Sequence, residues 1–503
     1  MSKELMLKRI ARAQEEIDAK RALVKQGAQR QDYHFMAETG WINDPNGLIY
    51  YKGKYHFFYQ YNPYHGFWSS MHWGHAVSTD LIHWDYLPLA LAPSEVYDDH
   101  LQGGCFSGSA IEHDGKLYLI YTGTSNHGHG FEQVQCVAYS EDGIHFEKYE
   151  KNPVITAPAG VSPDQFRDPK VWEHDGTYYV VCGASVNGFG QALLYKSEDL
   201  LHWTFVNVLA ESRGEWGFMW ECPDFFPLED KYVLMFSPMG GKERTSVYLV
   251  GDFDYDTGKF FYTTSGEMDW GFDYYAPQSF LAPDGRRLMV GWANAWDWMP
   301  FWKDWGPTYQ EGWCGFFSVP REAVLDADGM LKFVPVKELE LLREDEFSVQ
   351  GMELSDFAPG DAATSPSGKL LLCNGCVFEL KMKVDLQKTT ASQLILKLRS
   401  VKDKYTEIVF DLAKSEIRFD RSHADNWSTG VAKCPLNLLG RDTLDIHVYS
   451  DKSSVELFSN GYRNNLSCNI YNADENQENY LIAKDGTVAV TELKTWKLKK
   501  VME

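Results

Sequence analysis

Apolar and polar residues alternate along most of this chain in short runs bounded by turn residues, and one such run recurs five times. It reads KGKYHFFYQY from Lys52, DGKLYLIYTG from Asp114, DGTYYVVCGA from Asp175, EDKYVLMFSP from Glu229 and DGRRLMVGWA from Asp284. The turn positions Gly53, Gly115, Gly176, Asp230 and Gly285 are separated by 62, 61, 54 and 55 residues. A second marker follows in the first three units, as STDLIHW at 78–84, SEDGIHF at 140–146 and SEDLLHW at 197–203. Regular units of several short aromatic and β-branched strands, broken by Asp-Gly turns, predict a five-bladed β-propeller over residues 33–340. The competing reading is a large β-sandwich with chance likeness between hairpins. Two markers at one period argue against it.

The pattern changes at both ends. In residues 1–32, Met6, Ile10, Ala13, Ile17 and Val24 recur at helical spacing among charges, which predicts one amphipathic helix. It is expected to pack on the propeller or on a partner subunit rather than on a membrane. Past residue 345 come shorter alternating strands: VFELKMKV at 377–384, SQLILKL at 392–398, YTEIVFDL at 405–412, DTLDIHVYS at 442–450 and SSVELFSN at 453–460. They predict a β-sandwich over 345–503, joined to the propeller through the segment from Pro335 to about Glu346. The expected fold class is therefore all-β, a five-bladed propeller followed by a C-terminal β-sandwich, with a short N-terminal helix.

In a propeller the first strand of every blade lines the central channel in the same sense, so equivalent registers open on one mouth. Asp44 lies nine residues before its turn, Ser107 eight, Asp168 eight, Glu221 nine and Gln278 seven. Three of these positions belong to acidic islands, WINDPNG at 41–47, FRDP at 166–169 and ECPD at 221–224. Carboxylates are costly to bury without partners, so three in one funnel point to chemistry. Asp-Pro-Asn-Gly taken alone would read as a tight turn. Asp224, three residues from Glu221, is expected to face away and make a structural hydrogen bond.

Composition narrows the classes. A net charge of −23 repels polyphosphate and argues against nucleic acid as a partner. No apolar stretch approaches a membrane span. Nine scattered cysteines and an N-terminus without a hydrophobic signal core lead us to expect a cytoplasmic protein. Cys373 and Cys376 have redox or zinc spacing but no second pair, and His72 and His75 should point to opposite faces of a strand. Neither a metal nor another cofactor is expected, and self-association into a homo-oligomer stays open.

The islands, together with FYQYNP at 58–63, MHWGHA at 71–76, FSGSA at 106–110, YAPQSF at 275–280, GWAN at 291–294, SVPRE at 318–322 and VELFSNG at 455–461, resemble glycoside hydrolase family 32, the invertases and other β-fructofuranosidases. The likeness covers about nine-tenths of the chain and implies the same propeller and sandwich. It also implies a small-molecule sugar substrate and a retaining, exo-acting hydrolysis of a terminal fructosyl bond.

Such a reaction uses one carboxylate as nucleophile and a second as acid and then base, about 5–5.5 Å apart. By the resemblance Asp44 is the nucleophile, Glu221 the acid/base, and Asp168 stabilises the transition state. The donors around Asp44 should hold it ionised, and the aromatic run around Glu221 should keep that residue protonated. The implied substrate-binding set is Asn43, Gln60, Trp68, Phe106, Ser107, Arg167, Tyr275 and Trp292. The aromatic stretch Trp292, Trp296, Trp298, Trp302 and Trp305 is a candidate leaving-group rim.

An N-terminal helix ahead of the first island is similar to bacterial sucrose-6-phosphate hydrolases. Sucrose and fructo-oligosaccharides are alternative substrates, and Lys242, Arg244 and Lys303 are candidate phosphate ligands. Fructosyl transfer on the same site and a non-catalytic sugar-binding propeller are the rival functions; the second would normally lack one of the three carboxylates.

Overall fold

The computed structural model describes residues 2–241, 245–356, 368–438 and 440–502. The chain forms two compact units. The first comprises Met1–Lys25, Met36–Met268 and Tyr274–Leu331, the second Gln26–Phe35, Asp269–Asp273 and Lys332–Glu503.

The first unit is a β-propeller. Among the described residues it holds five antiparallel four-stranded sheets, four of them built from consecutive strands; the short strand Trp313–Cys314 lies in sequence within the fifth but extends the first. The leading strands are Gly40–Tyr51, Gly104–His113, Phe166–His174, Met219–Leu228 and Tyr275–Leu281. Each lies against the next, and the fifth lies against the first, so they form a closed ring. Trp313–Cys314 pairs in parallel with Gly40 and Trp41, tying the end of the ring to its beginning.

The repeats have local causes. The turns Lys52-Gly53, Asp114-Gly115 and Asp175-Gly176 all have positive φ at both residues, the backbone of tight hairpins whose twist matches their strands. In the second marker a Ser Oγ and an Asp carboxylate accept successive backbone N–H groups. Ser78 takes Leu81 N (2.8 Å) and Asp80 takes His83 N (2.8 Å), a pattern that Ser140 with Asp142 repeats. These side chains satisfy loop donors that no strand partner reaches.

The N-terminal helix, α1, spans Ser2–Val24 and buries Met6, Ala13, Ile17 and Val24, with Ile10 half-buried. It is shorter than the expected 1–32. Further on, the Asp451 carboxylate accepts N–H bonds from Asp32 (2.8 Å), Tyr33 (3.1 Å) and His34 (3.2 Å), which a continued helix would have turned inward. Gln26–Phe35 therefore belongs to the second unit, and the last segment of the first unit ends at Leu331.

Among the described residues, the second unit is a β-sandwich of two six-stranded sheets. Their facing side chains, among them Phe378, Leu396, Phe410, Phe419, Val448 and Leu457, form one apolar core. All five strands read from alternation are present, as Phe378–Asp385, Gln393–Val401, Lys404–Asp411, Thr443–Asp451 and Ser454–Ser459. The expected connection at 335–346 is a 3-10 turn, Lys337–Leu342, and the first sandwich strand already begins at Arg343.

Candidate active site

All five leading strands break register in the segment that carries the site residues. The shift falls between Ile42 and Pro45, between Phe106 and Gly108, across Arg167 to Lys170, between Glu221 and Asp224, and between Tyr275 and Gln278. A bulge leaves residues outside the ladder and turns their side chains to a new direction. Proline, which cannot donate to a ladder, is at home there. Pro45, Pro169, Pro223 and Pro277 stand at four of the five shifts, so the Asp-Pro, Cys-Pro and Ala-Pro pairs in the motifs mark the bulges. Asp168 (φ 63°), Cys222 (φ 49°) and Ala276 (φ 51°) are left-handed, a strain that non-glycine residues carry mainly where the surroundings enforce it.

The bulges gather one cavity of about 230 Å³, lined by Asn43, Asp44, Gln60, Trp68, Phe106, Ser107, Arg167, Asp168, Glu221, Met239, Trp296 and Phe301. That is below the roughly 300–1,000 Å³ of pockets for drug-sized ligands and suits a single sugar ring.

Asp44 is buried and closely held. Ser107 Oγ donates to its Oδ2 (2.5 Å) and Asn43 Nδ2 to its Oδ1 (3.0 Å), while Asn43 is fixed by Trp41 Nε1 (2.8 Å). Asn46 extends the chain, its amide nitrogen donating to Ser107 Oγ (3.3 Å) and its oxygen accepting from Gln60 Nε2 (3.0 Å). The Cys222 thiol lies between two acids, 3.4 Å from Asp44 Oδ2 and 3.5 Å from Asp168 Oδ2. Asp168 Oδ2 also accepts the Cys222 backbone N–H (2.9 Å), and Asp168 N donates to Thr122 Oγ1 (2.9 Å).

Glu221 is gripped from both sides. Its Oε1 accepts from Arg167 Nε (3.1 Å) and Nη2 (2.9 Å), and its Oε2 from the Tyr275 hydroxyl (2.5 Å). Gln133 and Gln165 accept from Arg167 Nη1 at 3.1 and 3.0 Å and set the guanidinium plane.

The surroundings of these acids differ from those the sequence suggested. Burial is the largest influence on Asp44 and, with the charge of Glu221, raises its pKa to about 6 despite the hydrogen bonds from Ser107, Asn43 and Cys222. The donors at hand do not outweigh desolvation. Burial likewise raises Asp168 to about 7, against the pull of Arg167 and with the push of Glu221 and Asp44. The carboxylate of Glu221 meets a guanidinium and a phenol, not the indole of its neighbour. Trp220 turns away to stack on Phe236, with ring centroids 3.8 Å apart.

Ten of the eleven expected residues come together. Tyr275 does so through Glu221 rather than as cavity wall. Trp292 does not reach the cavity: it is fully buried behind it, against Trp41 (5.6 Å) and Trp296 (4.5 Å). The indole on the wall is Trp296, four residues on, with Phe301 beside it. Of the other rim candidates, Trp302 is exposed and Trp298 packs edge-on against Trp305. Gln278 joins inner strands instead of facing a ligand, accepting from Leu48 N (3.1 Å) and donating to Gly108 O (2.9 Å). Asp224 is structural as expected, accepting from Ser279 N (2.6 Å) and pairing with Lys170 (3.1 Å). His75 bonds His56 (3.0 Å), and His72 bonds the Ser70 carbonyl (2.7 Å).

Sequence reasoning missed Met239, Phe301 and the bridging thiol of Cys222. The first two carry no motif, and the third carries only its place beside Glu221. Lys242 and Arg244 lie outside the described residues. Lys303 is exposed. Among the described residues lining the cavity, Arg167 is the one cation, and it is engaged with Glu221.

Buried carboxylates converging on a cavity for one sugar, at the ring of a β-propeller, define a glycoside hydrolase. The chain belongs to glycosyl hydrolases family 32: residues 34–335 match the family's N-terminal domain and residues 338–497 its C-terminal domain. It is 37% identical to a sucrose-6-phosphate hydrolase of Escherichia coli, covering 93% of this chain and 94% of the relative. A raffinose invertase of Escherichia coli is 36% identical, over 95% and 98% of the two chains. The structure superposes on a β-fructofuranosidase of Bombyx mori with a TM-score of 0.81 at 31% identity, covering 98% of each chain.

Proposed function

We propose that the protein is a retaining, exo-acting β-fructofuranosidase that hydrolyses the fructosyl bond of sucrose or sucrose-6-phosphate by double displacement. The observation that carries this reading is the convergence of Asp44, Glu221 and Asp168, from three separate bulged strands, on one cavity sized for a single ring.

In the first step ionised Asp44 attacks the anomeric carbon while Glu221 delivers a proton to the leaving oxygen. In the second, Glu221 takes a proton from water, and that water releases fructose from Asp44 with the original configuration. Tyr275 and Arg167 aim the Glu221 carboxyl group, and Asn43 with Ser107 aims Asp44. Asp168 faces the fructosyl hydroxyls and supports the positive charge that develops on the ring. Trp68, Phe106, Trp296 and Phe301 enclose the sugar and exclude water from the reacting bond. Nine cysteines, all free thiols, fit a reducing cytoplasm.

The test is turnover of sucrose and sucrose-6-phosphate by the wild type and by Glu221→Ala. Expected results are fructose release by the wild type, loss of turnover in the variant, and azide rescue of the variant on an activated aryl fructoside with formation of the β-fructosyl azide. An unaffected Glu221→Ala enzyme, or an azide product of inverted configuration, refutes the mechanism. The ratio of kcat/KM for the two substrates shows which leaving group the site prefers.

A further inference from the structure

Helix α1 makes polar contacts that its apolar face does not require, and they lead to the cavity wall. Trp68, on that wall, sits in the loop 63–70. Asn62 braces the loop from within, donating to Phe67 O (2.8 Å) and accepting from Tyr64 N (3.1 Å). Trp68 N donates to Phe301 O (2.7 Å), and Ser70 N donates to Leu101 O (2.7 Å). The loop thus leans on two other loops, one bearing Phe301 and one spanning 94–103.

Cations of α1 hold this assembly from outside. Lys20 Nζ donates to Tyr64 O (2.7 Å), and the Arg12 guanidinium lies 5.5 Å from the centre of the Tyr64 ring. Arg9 fixes the neighbouring loop, donating to Pro93 O (2.6 Å) and to both carboxylate oxygens of Asp99 (2.6 and 3.1 Å). Positions 9, 12 and 20 share one helical face, and Glu16 on that face pairs with Lys20 (2.5 Å). Burying Met6, Ala13, Ile17 and Val24 would be served by any polar residues at these sites. Two cations hydrogen-bonded to the loops beside Trp68, with a third against the Tyr64 ring, serve something further.

We propose that α1 is a positioning element for the substrate site: Lys20, with Arg12 and Arg9, holds the loop 63–70 so that Trp68 stands against the fructosyl unit. The proposal rests on reading the cavity as a fructosyl site. A loop that leaves its competent conformation weakens apparent affinity in proportion to the fraction lost, while turnover at saturation is spared. The helix therefore acts on KM and not on the chemical step.

The experiment is steady-state kinetics on sucrose and sucrose-6-phosphate with the full chain carrying Lys20→Ala, Lys20→Arg, Trp68→Ala, or Trp68→Ala with Lys20→Ala. Lys20→Ala should raise KM about three- to tenfold, as expected for losing one partly exposed hydrogen bond from a charged donor, with kcat within about twofold. Lys20→Arg should restore KM. In the Trp68→Ala background Lys20→Ala should add nothing, because the side chain it positions is gone. An unchanged KM in Lys20→Ala, or the same KM effect with and without Trp68, overturns the proposal while leaving the reaction standing. A wild-type chain that releases no fructose from either substrate sinks both.

Discussion

Arg167 reaches across from the strand Phe166–His174 to place two N–H donors on a single oxygen, Oε1 of Glu221, while Tyr275 takes the other. The second and third acidic islands are thereby locked to each other and not merely adjacent. The backbone N–H of Cys222 on Asp168 adds a second link between the same strands. Two of the three acids are held in one frame before any sugar arrives, which is how a site avoids reorganising at the moment of reaction.

The ionisation of Asp44 should limit activity on the acid side. Attack needs the carboxylate, and burial followed by the charge of Glu221 raises this group to about 6. We expect kcat/KM to fall as pH drops through about 6 rather than through the usual carboxylate range near 4. Ser107→Ala removes the 2.5 Å hydrogen bond that favours the charged form. The acid limb should then move up by as much as ~1 pH unit. A pH profile of kcat/KM for both enzymes checks the shift, and a downward move would contradict it.

The same raised pKa makes a stability prediction of defined sign. At pH 8 Asp44 is charged in both the folded and the unfolded chain, and the folded state bears the cost of a desolvated carboxylate. That cost vanishes as pH falls below about 6 and then below the unfolded value near 4, where both states hold the proton. Asp44→Asn should therefore abolish turnover yet stabilise the propeller unit at pH 8, by about 1–2 kcal/mol. The gain should disappear at pH 4. Thermal unfolding of both proteins at the two pH values provides the comparison.

Trp292 and Trp296 should separate cleanly. Trp296→Ala removes cavity wall and should raise KM by about tenfold, with a small change in Tm. Trp292→Phe alters a fully buried ring behind the wall and should lower stability by about 2 kcal/mol while KM stays within about twofold. Kinetics alongside calorimetry on the two variants decides it; a KM effect confined to Trp292 would restore that residue to the sugar site.

His34 should govern the pH dependence of the sandwich unit. Its Nδ1 lies 2.8 Å from Asp451 Oδ2 and its Nε2 2.9 Å from Glu456 Oε1, all fully buried or nearly so. Burial disfavours the charged ring, but the hydrogen bonds to Asp451 and Glu456 prevail and raise the pKa to about 9. A histidine raised above its unfolded value near 6.5 contributes fully below that pH and loses its contribution as pH rises through about 9. His34→Gln leaves two buried carboxylates without their cation and should cost about 3 kcal/mol at pH 6. Urea unfolding from pH 6 to pH 9 should show a decline in the wild type that the variant lacks.

The five hairpin units, five of the sandwich strands and the three acidic islands were legible in the amino-acid order, because alternation and turn chemistry act within ten residues of chain. The Pro after Asp44, Asp168 and Cys222 stands at each of their bulges, although taken alone Asp-Pro-Asn-Gly read only as a tight turn. What the order could not reveal depends on sums over distant segments. Whether Asp44 is ionised turns on how completely five strands exclude water. Which of Trp292 and Trp296 lines the cavity turns on packing: both rest against Trp41, but Trp292 is buried behind the wall and Trp296 is on it. The stretch Asp32–His34 after helix α1 is tied to a carboxylate more than 400 residues away. Local pattern sets the elements; burial and charge, which accumulate only when the ring closes, set what the site residues can do.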